Sequence, residues 1–420
     1  KGSIITGVTT DGGPVRGQAL SDIGLSSTTI EIQYTTGDVQ STYVSCQVGG
    51  LPVPNTAGCL KATGTLTIAG AGTASYSYDP LMDNDNARTI QGFSTGADAK
   101  MRTCPNCPYP DFLKFFQYYG RSDYADNWIT ASFDGTATSF SFGNANFGSG
   151  IASERALRIE TIEKGTAYMS VWMYVLREFE DALDDCQDGC IDCNDDPVHA
   201  WDEGVAFYTG SSHGTQLNSV EPGYFIYSLA NKRCVDFKTC GPNGNSVQGN
   251  SYVNRRLFTL FDTGKTQLQG GQCAAARETK VAISKLMAVP LVQGVLRYAY
   301  ITGPQNNRDP KSIGEGAVFA ASVLPIVHAC SQVDAQTIFD NMKVSSTATD
   351  FASVKTAFES HYNCMGITCE DVGGYYDEAL QEYYPGANPC VTTSSSNTIS
   401  RSTGGFIMSI VASLVLYSIL

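Results

Sequence analysis

Residues 157–211 run LRIETIEKGTAYMSVWMYVLREFEDALDDCQDGCIDCNDDPVHAWDEGVAFYTGS, and the spacing of their apolar side chains decides the fold class. From Tyr168 onward, Val171, Trp172, Val175, Phe179, Ala182 and Leu183 return every three or four residues, the repeat that lines up one face of an α-helix. Outside that stripe the same helix carries Arg177, Glu178, Glu180 and Asp181. A Cys-rich turn follows, and after Pro197 a second helix sets His199 and Glu203 four residues apart, one above the other. Carboxylates, an imidazole and a guanidinium thus gather within two helices.

The chain has 420 residues, with 27 Lys and Arg against 41 Asp and Glu, a net charge of −14. Such an acidic chain repels nucleic acid and anionic lipid and attracts cations, so no nucleic-acid partner is expected. Its 14 Cys are even in number and several sit close together, as at 104 and 107, 186 to 193, 234 and 240, and 364 and 369. That pattern predicts an oxidising compartment and mostly disulfides. CPNC at 104–107 also admits a redox or zinc reading, although no second pair or clustered His completes a zinc site. The chain opens on Lys rather than Met, which reads as a removed signal peptide. At the far end, TTSSSNTIS (392–400) precedes the apolar run FIMSIVASLVLYSIL (406–420). This run is shorter than the roughly 20 residues of a spanning helix, so a GPI-type anchor signal is expected, with a short tail helix as the alternative. Both place the protein on the extracellular face of the plasma membrane.

Taken in order, residues 1–97 are rich in Thr, Ser and Gly with short alternating runs, and predict a β-rich N-terminal domain. Cys46 and Cys59 flank a turn sequence and are expected to pair. A first helical bundle is assigned to 98–270 and a second to 271–385, with a Ser/Thr linker and hydrophobic anchor signal at 386–420. The second bundle is expected because ISKLMAVPLVQGVLRYAYI (283–301) aligns on IEKGTAYMSVWMYVLREFE (162–180), and EGAVF (315–319) on EGVAF (203–207). The fold class is therefore mainly α, a duplicated four-helix bundle. Under that duplication Arg177 matches Arg297 and Glu203 matches Glu315, whereas His199 falls opposite Lys311. Chance similarity between amphipathic helices is the alternative.

Ferric iron prefers carboxylate and phenolate oxygens, with at most an imidazole added. The expected ligands are His199, Glu203, Glu178 and Asp181, with Tyr208 or Glu315 completing the shell. They would converge where the end of helix 162–185 meets the helix at Pro197. Arg177, and Arg297 by the duplication, are expected to hold a carbonate anion. By helix geometry Arg177 lies opposite the centre of the apolar stripe, so it is either solvated or paired with Asp181 at i plus four, unless a second bundle covers that side. A solvated helix face is the competing reading for the carboxylates, and a core or capping role for His199. A self-repelling carboxylate cluster is expected to lose iron as pH falls from about 8 to 5. Enzyme signatures are missing, so no catalysis is expected; zinc hydrolysis at His199 and Glu203 lacks a third ligand.

At VWMYVLREFEDALDDC, VHAWDEGVAFYTGS, LANKRCVDFKTCG and VNRRLFTLFDTG the chain resembles the algal low-iron-inducible, iron-assimilation proteins, among them the phytotransferrins. The likeness runs from about residue 100 to about 375. More distantly it resembles imelysin-type proteins, whose motif is G-x-H-x-x-E; here Pro197 replaces the Gly and Glu203 comes one residue late. The resemblance implies capture of ferric iron (Fe3+) at the cell surface with carbonate as synergistic anion. It also implies later internalisation, with endocytic or surface reductase partners. A structural or adhesive surface glycoprotein is the alternative.

Overall fold

The apolar stripe opening at Tyr168 belongs to a helical run longer than the stripe itself. A computed structural model describes residues 90–189, 197–210 and 223–390, together with the backbone of short strands before them. In it the chain is helical from Arg155 to Gln187: α4 (Arg155–Gly165), a π-helical segment (Thr166–Val171) and α5 (Trp172–Gln187). Every residue of the stripe from Val171 to Leu183 is buried. Tyr174, Leu176, Glu178 and Glu180 are buried too, so the helix is enclosed on more than the one face its apolar pattern marks.

The chain is mainly helical. Upstream lie α1 (Ile90–Thr95), α2 (Pro110–Tyr119) and α3 (Tyr124–Asp134). After α2 the chain turns at Gly120, whose φ of 75° is open to glycine at little cost. Downstream come α6 (Pro197–Thr209), α7 (Phe225–Phe237) and α8 (Tyr252–Gln269). Pro197 takes the first helical position, where its missing N–H costs nothing. Then come α9 (Cys273–Thr302), α10 (Pro310–Cys330), α11 (Gln332–Met342) and α12 (Phe351–Glu359), followed by the short turns α13 (Tyr362–Met365) and α14 (Cys369–Val372).

The centre of the core is α9 and α10. Both are long and apolar enough to cross a membrane, yet 83% and 78% of their most apolar stretches lie inside the fold. Gly294 of α9 and Phe319 of α10 show how closely they pack, since a Cβ on Gly294 would lie 2.7 Å from the Phe319 ring. On this pair α4 lies against α10 and α5 against α9, while α6 lies along α5 and α8 along α9. Helices from the two expected bundles therefore share one core. A last hairpin, Tyr376–Asp377 with Glu382–Tyr383, closes the described residues and is tied back by Cys369–Cys390.

Five disulfides are formed among the described residues. Cys104–Cys107 and Cys234–Cys240 join near neighbours, whereas Cys186 reaches Cys273 at the start of α9. Cys364 and Cys369 are close in sequence but bond to Cys330 and Cys390 respectively. Strand backbone is described at Val15–Ala19 with Thr28–Ile32 and at Thr63–Ile68 with Gly72–Ser77, each pair antiparallel. The expected Cys46–Cys59 bridge and the apolar stretch 406–420 lie outside the described residues.

Candidate functional site

Of the residues expected to surround one ion, Tyr208, Glu315 and Arg297 are engaged away from the α5 and α6 carboxylates. Arg177 is covered, with 14% of its side chain exposed; its Nη1 lies 2.8 Å from Glu178 Oε2 and its Nη2 lies 3.0 Å from Asp181 Oδ1. Burial opposes its charge, but the two carboxylates outweigh burial and keep the guanidinium firmly protonated. His199 Nε2 is 3.5 Å from Glu203 Oε1, on a side chain 65% exposed. Tyr208 is fully buried and its hydroxyl donates to Asn254 Oδ1 at 2.5 Å, which makes it a core hydrogen bond rather than a ligand. Glu315 faces Lys164 of α4, and Arg297 faces Asp236 of α7. The reason is register: Tyr208 turns into the α6–α8 contact, and α10 presents Glu315 to α4. Among the described residues no three His, Cys, Asp or Glu side chains converge as a metal ion would require.

Glu315 and Arg297 do belong to a polar centre, set between α4, the π-helical segment, α7, α9 and α10. Glu160 and Lys164 are one turn apart on α4 and form an ion pair. Lys164 also lies 3.3 Å from Glu315 Oε1, and Lys311 lies 3.1 Å from Glu160. On α7, Arg233 is only 8% exposed. Its Nη1 and the Nε of Arg297 both stand 3.3 Å from a single oxygen, Asp236 Oδ2. These ion pairs are misaligned for hydrogen bonding: among the described residues, Arg233 Nε and Nη1 and Arg297 Nε have no hydrogen-bond acceptor. Tyr168 sits in the π-helical segment and stacks on Phe319 at 5.2 Å. An extra residue per turn re-aims the side chains beyond it, and such segments recur at functional sites. Burial pushes the Tyr168 phenol up to about 12, against the opposing pull of Lys164 and Arg233.

The centre borders a cleft of about 370 Å³ whose walls include Arg297, Tyr298, Lys311, Tyr375 and Tyr384. Arg297 and Lys311 line the cleft and also touch Asp236 and Glu160, which joins the two regions. The rings of Tyr375 and Tyr384, which flank the C-terminal hairpin, lie 4.6 Å apart and tilted by 30°, and Tyr375 packs on Phe237 of α7. The groups Lys164, Arg233, Arg297 and Lys311 set four cationic side chains against the four carboxyl groups of Glu160, Glu163, Asp236 and Glu315.

Burial raises Glu315 to about 7; Lys164 pulls it down, and the hydrogen bond with Glu160 pushes it further up. The folded chain therefore keeps a proton on Glu315 that the unfolded chain releases near 4.5. Stability falls as pH rises through that window, at up to about 1.4 kcal/mol per unit. Glu160, held below its ordinary value, acts in the opposite sense below about 4.5, so the two windows do not overlap. Glu315→Gln is expected to flatten the fall, matching the parent near pH 4 and exceeding it at pH 8 in urea melts. An unchanged slope would contradict the buried, proton-holding Glu315 described here.

Sequence reasoning did not find Glu160, Lys164, Tyr168, Arg233, Asp236 or Tyr375 as site residues. One signal was present: Arg233 and Asp236 stand three apart, hence on one face, in the segment LANKRCVDF. No protein-family model, curated protein or solved structure matches this chain.

Proposed function

We propose that this chain captures ferric iron together with carbonate at the cell surface, for uptake, and holds both where α7, α9, α10 and the π-helical segment meet. One observation carries the reading: Arg233 and Arg297 share the single carboxylate of Asp236 beside buried phenol and carboxyl oxygens. Two guanidinium groups on one carboxylate leave donors for an oxyanion, which Arg binds through paired N–H groups. The two guanidinium groups beside Asp236 repel bare iron locally, so the metal enters with an anion that offsets their charge. Tyr168, Glu315 and Asp236 then supply hard oxygen donors of the kind ferric iron prefers. Metal binding would displace the Tyr168 proton.

The finer architecture belongs to the same proposal. The α9–α10 pair repeats the α5–α6 pair by duplication, a β-rich domain precedes them, and the 406–420 stretch anchors the protein in the membrane. Iron is released to endocytic or surface reductase partners. Arg177, Glu178, Asp181, His199 and Glu203 would be the duplicated counterpart of the centre.

Equilibrium titration of the whole protein with ferric nitrilotriacetate, with and without bicarbonate, tests the reading. Tight binding that requires bicarbonate is expected, with a visible phenolate-to-iron charge-transfer band that Tyr168→Phe removes. Binding of the anion without iron would make the chain an oxyanion-binding protein. Weak binding indifferent to the anion would leave a structural surface protein.

A further inference from the structure

The CPNC segment plays no part in the centre described above. Its bridge, Cys104–Cys107, spans three residues, whereas the other four described bridges span 6, 21, 34 and 87. So short a ring restricts the unfolded chain least, and cross-linking does not account for it. Both cysteines are partly exposed, between the helical turn ending at Arg102 and the first turn of α2.

The loop also has a scaffold that does not depend on the sulfur–sulfur bond. The Cys107 N–H donates to the Cys104 carbonyl at 3.0 Å, and the Tyr109 N–H to the Met101 carbonyl at 3.0 Å. Met101 and Tyr109 are buried on either side, and Pro105, Pro108 and Pro110 restrict the backbone. Opening the bridge would therefore leave the two sulfurs facing each other, ready to close again. Cys104 Sγ lies 3.6 Å from the Lys100 carbonyl, an acceptor for the thiol form.

We propose that Cys104 and Cys107 form a thiol–disulfide exchange site for an external dithiol. One thiolate of the dithiol attacks a sulfur of the bridge; the sulfur–sulfur bond breaks, and the other cysteine leaves as a thiolate and takes up a proton. The second thiol of the dithiol then attacks the mixed disulfide and frees the second cysteine. Two electrons reach the protein, and the dithiol becomes a disulfide. The loop touches α5, because Asn106 within the ring and the Tyr109 hydroxyl both hydrogen-bond Asp184, one turn beyond Asp181. This inference is independent of the iron reading.

The test uses the full chain equilibrated with graded ratios of reduced to oxidised dithiothreitol, quenched, alkylated and mapped by mass spectrometry. Cys104 and Cys107 are expected to become labelled at a ratio at least tenfold lower than any other bridge, with the near-UV circular dichroism unchanged. Labelling together with or after another bridge, or only as the dichroism collapses, overturns the proposal. In a second arm, Cys104→Ser or Cys107→Ser is incubated with oxidised dithiothreitol and glutathione disulfide. A trapped mixed disulfide on at least one remaining cysteine is expected, and its absence from both variants overturns the proposal.

Discussion

Lys280→Met is expected to destabilise the chain by about 1.5–3 kcal/mol, because it removes the buried cation that Glu180 and Asp111 share and leaves each with a single, more exposed partner. Lys280 is 2% exposed, and its Nζ lies 2.5 Å from Glu180 Oε1 on α5 and 2.8 Å from Asp111 Oδ2 on α2. Arg277, one turn earlier on α9, holds the other Glu180 oxygen at 2.9 Å. Burial pushes the Asp111 carboxyl up, but Lys280 and Lys114 outweigh it and hold the group well below the carboxylate range. Its folded pKa is depressed, so its contribution is present above about pH 4 and is lost only as pH falls toward that depressed value. Methionine keeps most of the side-chain volume, so the loss reports charge rather than a cavity. Urea melts at pH 7 measure it, and a change under about 1 kcal/mol would show that water reaches the cluster.

Arg297→Met is expected to lower ferric affinity by roughly 10- to 100-fold in bicarbonate and to leave the affinity without bicarbonate nearly unchanged. That range corresponds to losing one or two charge-assisted hydrogen bonds, about 1.5–3 kcal/mol. Arg297 is the better choice than Arg233, because its side chain is 25% exposed and lines the cleft, whereas Arg233 is buried and its loss would disturb α7. Arg297→Lys should recover only part of the loss, since an ammonium cannot match a planar oxyanion with two parallel donors. Equal losses with and without bicarbonate would mean that Arg297 supports Asp236 rather than the anion.

Helix positions were legible because they depend on local pattern. The apolar repeat running to Leu183 lies in the helical run that ends at Gln187, and the helix expected after Pro197 is α6, which opens on that residue. The surroundings of a side chain were not legible in that way. Arg177 lies opposite the stripe of α5, and only the tertiary packing shows that this side is covered as well. His199 and Glu203 were found by their spacing, yet spacing cannot tell an exposed pair from a buried one. Glu315 and Arg297 were singled out through the expected internal repeat. Their partners Lys164 and Asp236 lie 151 and 61 residues away in sequence, and no helical period reports such contacts. The cysteines make the same point, since Cys364 and Cys369 are near neighbours in sequence but face Cys330 and Cys390.

The Cys369–Cys390 bridge also decides how the molecule carries a load. Tension applied to the chain beyond Cys390 passes through a covalent link to Cys369, at the start of α14 and against α9. The 20 residues between the two sulfurs, which include the hairpin with Tyr375 and Tyr384, form a slack loop parallel to that path. A pull strong enough to peel an ordinary C-terminal hairpin would leave these tyrosines in place, and the wall of the cleft would keep its shape while the tail is under strain. With the bridge reduced, the same force would enter at the hairpin and remove that wall first.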